Sequence, residues 1–175
     1  MKRTNWFDRV FPPQTDIGVF PCILERLSGT AARLNEKMSV HSRALITLGA
    51  TDKKWSVKKE IGHLIDLEPL WLARTLEILA DKKDLKVADL NNTKTHETPH
   101  DARSFDDLIQ DFRENRQALM TVLEGVTEVD LKKAAVHPRL GTPMTIIDLA
   151  YFVAEHDDHH LAQMSILMSK HPSKF

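Results

Sequence analysis

From Leu149 to Leu167 the sequence sets side chains of one buried stripe at steps of four or three: Leu149, Val153, His156, His160, Met164 and Leu167. Such spacing belongs to a helix with one face turned into a core. It also forces two imidazoles into that core. At about 100° per residue, His156 and His160 differ by only about 40° around the axis, with Cβ atoms roughly 5–6 Å apart, so both rings can converge on one point. His159 falls on the flank with Phe152 and Ile166, and Asp157 and Asp158 are rotated further away. Unsatisfied imidazoles among aliphatic side chains cost on the order of 1–3 kcal/mol each, so the pair needs hydrogen-bond partners or a metal ion.

Three more segments carry the helical period. The first, roughly Val19 to Leu48, has Phe20, Leu24, Leu27, Leu34, Met38 and Leu45 on its stripe and a break at Gly29-Thr30. Ser56 reads as the N-cap of the second, whose apolar face (Val57, Ile61, Leu64, Trp71, Ile78, Leu79) runs to about Ala80, with Pro69 placed to kink it. Ser104 caps the third, with Asp106 and Asp107 in its first turn and Phe105, Leu108, Phe112, Leu119 and Val122 inward, ending near Gly125. A short helical turn at Thr127–Lys133 and the Pro-Gly loop HPRLGTPM follow, and Thr145 with Asp148 forms a capping box for the fourth helix, which runs to about Ser169. Nothing of comparable length alternates as a strand would, so the expected class is all-α, a four-helix bundle in a single domain over residues 1–175. Polar residues 81–103 read as a long crossover between helices 2 and 3.

Lys and Arg number 24 against 25 Asp and Glu, which gives no broad attraction for phosphate backbones or anionic lipid. Neither nucleic acid nor membrane is an expected partner. The start MKRTNWFDRVFPP lacks an apolar stretch of signal-peptide length, and no run approaches the ~18–20 apolar residues of a bilayer span, so a cytoplasmic location is expected. The lone cysteine, Cys22, is expected to pack as a small hydrophobe.

The pair on the fourth helix does not make the zinc-protease motif H-E-x-x-H, because Asp157 stands where the general base would be. A third ligand has to come from another helix. His63, near the edge of the second helix's apolar face, is the best candidate; His41, His96, His100, His137 and His171 are expected to face solvent. Three neutral imidazoles leave a coordination position open, as catalytic sites do, and imidazole does not choose sharply among Zn, Ni, Fe and Mn.

Two stretches, WSVKKEIGHLIDLEPLW (Trp55–Trp71) and LAYFVAEHDDHHLAQM (Leu149–Met164), resemble the DinB-like (YfiT-like) family of proposed metal-dependent enzymes. The matching positions are Trp55, Ser56, His63, His156, His160 and Gln163, and ERLSGTAARL and HPRL extend the likeness. The resemblance implies up-down-down-up topology, a three-histidine metal site at one end of the bundle, and homodimers. Relatives in that family include transferases that attach low-molecular-weight thiols such as bacillithiol to electrophiles, and a mycothiol-dependent isomerase.

The leading expectation is a metalloenzyme in which His63, His156 and His160 hold a divalent ion that activates an external thiol or water toward a small-molecule electrophile. The alternatives are a metal-dependent hydrolase and a non-enzymatic helical binding dimer with a structural metal. Asp157, His159 and Glu60 are the catalytic or ligand-orienting candidates, and Arg139 is a candidate for a substrate carboxylate. Glu60-x-x-His63 and Asp157-x-x-His160 also echo di-iron bundles, but Glu114 and Glu124 fall off the clearest inward face.

Overall fold

The computed structural model describes residues 3–39 and 55–169. The first helical segment is divided as expected, into α1 (Phe20–Ser28) and α2 (Thr30–Ser39), with Gly29 between them. Its expected far end, with Leu45 and Leu48, lies outside the described residues, as do His41 and His171. Helix α3 (Val57–Leu79) starts where Ser56 Oγ accepts from the Lys59 N–H at 3.0 Å, and Pro69 lies inside it without ending it. The connection that follows holds a short helix, α4 (Thr93–Glu97), and a 3-10 turn at His100–Ala102. Helix α5 (Phe105–Glu124) is capped by Ser104 and stops at Gly125. Helix α6 (Ile146–Ser169) begins at the Thr145–Asp148 box, where Thr145 N–H donates to Asp148 and Asp148 N–H to Thr145 Oγ.

The helical expectation needs one addition. Strands β1 (Ala134–Val136) and β2 (Pro143–Thr145) pair antiparallel, Ala135 opposite Met144, and turn HPRLGT into a hairpin loop. Three residues per strand are too few for alternation to register in a sequence. Gly141 takes φ +67° in that loop, a conformation that costs a residue with a Cβ. The hairpin also pins the crossover, because Leu85 N–H donates to Val136 O and Val136 N–H to Lys83 O.

The long helices pack α3 on α5 and α6, and α1 on α5 and α6. Their apolar residues form two clusters rather than one. Phe20, Leu27, Trp71, Ile78, Leu123 and Ile147 belong to the first; Leu34, Ile61, Leu64, Phe112, Met164 and Leu167 belong to the second. Between them every helical rod carries polar groups at one level: Thr30, Glu68, Arg116, Asp157 and the histidines of α3 and α6, all buried. Arg116 lies at the middle of this layer. Its guanidinium donates to Glu68 at 2.5 and 3.0 Å, to Asp157 at 2.7 and 3.1 Å, and to Leu27 O at 3.1 Å. Burial alone would lower its pKa, but the attraction of Asp157 and then Glu68 outweighs that and holds it above the ordinary arginine range.

Cys22 departs from expectation and is exposed, because Phe20, Ile23 and Leu27 take the inward positions of α1. Arg116→Met leaves two buried carboxylates without their cation, so it should lower unfolding stability by about 3–5 kcal/mol in urea titrations. A loss below about 1 kcal/mol, the scale of a surface pair, would show that the layer is not the bundle's anchor.

Candidate metal centre

Helices α3 and α6 bring the three expected histidines together. One ring nitrogen from each of His63, His156 and His160 lies within 4.8 Å of the others, and all three residues are buried. Ring centroids are 4.5 Å apart for His156 and His160, and 4.8 and 5.4 Å from His63 to His160 and His156.

Acceptors behind two of the rings orient them. Thr95 Oγ donates its proton to Asp66 at 3.0 Å, leaving lone pairs to accept from His63 Nδ1 at 3.2 Å. Glu60 Oε2 lies 2.5 Å from His160 Nδ1, and as an ionised carboxylate it accepts the hydrogen bond of that N–H. With Glu60 ionised, both rings keep an unprotonated Nε2. The crossover supplies Thr95, and it comes close to α3 because Gly62 has no side chain: a Cβ there would lie 2.2 Å from the His100 ring.

His156 completes the group without being satisfied. Its Nε2 is 3.2 Å from His160 Nε2, and its Nδ1 is buried without a partner among the described residues. A proton on Nε2 leaves the Nδ1 lone pair bare, and a proton on Nδ1 sets two Nε2 lone pairs face to face. A cation shared by these rings relieves the second arrangement, so the donor set fits a divalent ion of the kind imidazole binds. Burial pushes His63 down to about 3 and His160 to about 4, and holds His156 well below the ordinary value. Neighbouring imidazoles add to this for His63 and His156, while Asp157 partly offsets it for His160. Neutral imidazole is the form that ligates. Burial pushes Glu60 up to about 8, with Arg3 pulling it back.

The rings form part of the wall of a cavity of about 320 Å³, lined also by Trp6, Trp71, Leu67 and Phe152 and by the exposed Val87 and Leu90. His159 reaches the same cavity, its Nδ1 buried and without a partner among the described residues, and its ring 5.5 Å from Trp6. Arg139 is another wall residue. Asp157 is elsewhere: it binds Arg116 and Thr30, so the expectation that it would hydrogen-bond a ligand imidazole is corrected by the pull of a buried guanidinium. Glu60 bonds His160 rather than the His63 of its own helix.

Two histidines expected in solvent are buried. His100 Nε2 bonds Asp66 at 2.9 Å, and His137 lies 3.1 Å from Arg74 Nη1, each in a connection folded onto α3. His96 is exposed as expected. Sequence reasoning also passed over the N-terminal segment. Trp6 packs 5.0 Å from both Phe152 and His156, and Arg3 donates to His159 O and to Gln163. Its signal was Trp6, Phe7 and Phe11 in a short stretch otherwise lacking a core. Charged Glu68 and Arg116 on apolar stripes were the corresponding signal for the buried layer.

The family model of the DinB superfamily matches residues 23–164. The chain belongs to the DinB superfamily. Among solved structures, this DinB-superfamily chain is similar to YfiT from Bacillus subtilis, with 18% identity, coverage of 91% of this chain and 93% of that chain, and a TM-score of 0.77. That protein is described as a probable metal-dependent hydrolase with an unusual four-helix bundle topology. No curated protein matches the chain. No helix among the described residues is long and apolar enough to cross a membrane.

Burial lowers the pKa of His137 and His159 as well, to about 4 and about 3. Above pH 6.5 these five rings are neutral whether folded or not; as pH falls toward 4 the unfolded chain takes up protons that the fold refuses, and stability drops. Glu60 and Glu68, both raised by burial, shift the opposite way and offset only part of the loss. The melting temperature of metal-free protein should therefore fall steadily from pH 7 to pH 4.5 in circular dichroism. A flat or rising profile would contradict neutral buried rings.

Proposed function

We propose that this DinB-superfamily chain is a metal-dependent enzyme in which His63, His156 and His160 hold one divalent cation, Zn, Ni, Fe or Mn, beside a pocket for a small organic substrate. The observation that carries the reading is the placement of three neutral imidazoles on the wall of an apolar cavity. A structural staple closed off in a core would need no such space beside it. When bound, the cation lowers the pKa of a coordinated water or thiol toward neutrality.

The chain's own residues supply the rest. Glu60 and Thr95 fix the ring orientations, and Trp6, Trp71 and Phe152 exclude bulk water. His159 Nδ1, without a hydrogen-bond partner among the described residues, is the neutral ring in the cavity wall best placed to bond a polar atom of the substrate. Cys22 is exposed on α1 and is not a cavity residue, so the nucleophile comes from outside: water, or a low-molecular-weight thiol. Hydrolysis is supported by what is said of YfiT, and thiol transfer to an electrophile by the family resemblance of the two helical motifs. A second, carboxylate-bridged metal has little support, since Asp157 and Glu68 are engaged by Arg116. A cytoplasmic homodimer with up-down-down-up order completes the proposal.

Metal analysis of untagged protein should give one divalent ion per chain, and His160→Ala should lose it. Thr95→Val, which frees His63 Nδ1 from its acceptor, should weaken the metal by about 10-fold in a chelator competition. The metal-loaded protein, assayed with aryl esters and separately with a thiol plus a halogenated arene, should turn over in one assay and lose that turnover in His160→Ala. Turnover unchanged in His160→Ala, or wild type that takes up no ion, would sink the metal reading.

A further inference from the structure

The cavity has a second polar region that the metal reading leaves unused. Arg74, His137 and Arg139 all line it. Arg74 is buried; its Nε donates to Lys86 O at 2.9 Å, and its Nη1 lies 3.1 Å from His137 Nε2. The backbone N–H groups of Arg139 and Leu140 both point at His137 Nδ1 from 3.3 Å. A neutral imidazole has one lone pair and one proton. With donors at both ring nitrogens, one of them always meets a donor rather than an acceptor.

The imbalance extends to charge. Arg139 Nη2 is buried with no hydrogen-bond partner among the described residues, and its guanidinium lies 5.2 Å from the Phe7 ring centre. Burial lowers the pKa of both guanidiniums: Glu77 partly offsets this for Arg74, and no opposite charge offsets it for Arg139. The acidic groups nearby are already used. Glu77 accepts from Lys86 N–H, and Asp89, the only carboxylate among the described cavity-lining residues, accepts from Asn91 and Thr93 N–H. Two cations and surplus donors therefore line a pocket in which the one carboxylate among the described lining residues is already engaged.

We infer that Arg139, backed by Arg74 and His137, is an anion subsite that takes the carboxylate of the substrate, whose apolar body lies on Phe152 and Trp71 and whose reacting end meets the histidines. Ring contacts span this path, from His137 to Phe152 at 5.4 Å, Phe152 to Trp71 at 6.0 Å, and Trp71 to His156 at 5.4 Å. The class is a small monocarboxylic acid with an aromatic or aliphatic body, as the cavity volume and its mainly apolar walls require. A carboxylate matches the planar guanidinium fork, and a dianionic phosphate would call for more free donors than the Arg139 tip presents. The inference rests on the cavity being the substrate pocket of the proposed enzyme, but not on the cation.

All three tryptophans line the cavity, so their fluorescence reports its occupancy. Purified full-length protein is titrated with 3-phenylpropanoate, with the neutral 3-phenylpropanamide and with 2-phenylethylphosphonate, each with and without added Zn(II). The carboxylate should bind at least about tenfold more tightly than the amide under both conditions, a preference that Arg139→Gln removes and Arg139→Lys keeps in part. Amide affinity in Arg139→Gln should match wild type, which shows the pocket intact. Equal affinity for carboxylate and amide in wild type, a preference unchanged in Arg139→Gln, or tighter binding of the phosphonate would overturn the assignment. So would a preference that appears only with Zn(II), which would place the carboxylate on the cation. Failure of the metal reading appears separately, as no ion uptake with the Arg139-dependent preference intact.

Discussion

One guanidinium holds the helices in register. Arg116, on α5, bonds the last turn of α1 through Leu27 O, α3 through Glu68 and α6 through Asp157. A charge taken out of water is tolerated only where every partner is in place, so each helix is held to one axial position and rotation by the need to satisfy it. Apolar packing alone would be more forgiving, since leucines exchange partners at little cost when a helix slides.

The histidine cluster inherits its geometry from that registration. Asp157 precedes His160 by three residues and follows His156 by one, so fixing Asp157 on Arg116 fixes where both rings emerge from α6. Glu68 does the same for α3, one and a half turns beyond His63. The two apolar clusters on either side keep water from the layer, and this burial holds the rings neutral. The polar residues in mid-bundle thus have two tasks: one set locks the rods, and the other presents lone pairs to a cavity.

The cavity is built by less regular parts. The N-terminal segment covers it with Trp6, the crossover brings Thr95 behind His63, and the hairpin places His137 and Arg139 on its wall. These segments carry no helical stripe, and each earns its order by contacts with α3 or α6. Pieces of this kind can change shape between relatives while the rods stay put, which fits a fold match to YfiT at only 18% identity.

The helices, their caps at Ser56, Ser104 and Thr145, the break at Gly29 and the convergence of His156 with His160 could be read from the sequence, because each depends on residues within a turn or two of one another. His63 could be named as a third partner by its place near an apolar stripe. What lay beyond sequence was every pairing across the chain: Arg116 with Glu68 and Asp157, Glu60 with His160 rather than His63, Thr95 behind His63, and Arg74 beside His137. A helical period states which face is inward but not what meets it. Partners 32 to 100 residues apart are chosen only when the packed rods and the connections between them set distances and exclude water, and burial alone turned His100 and His137 from expected surface residues into interior ones.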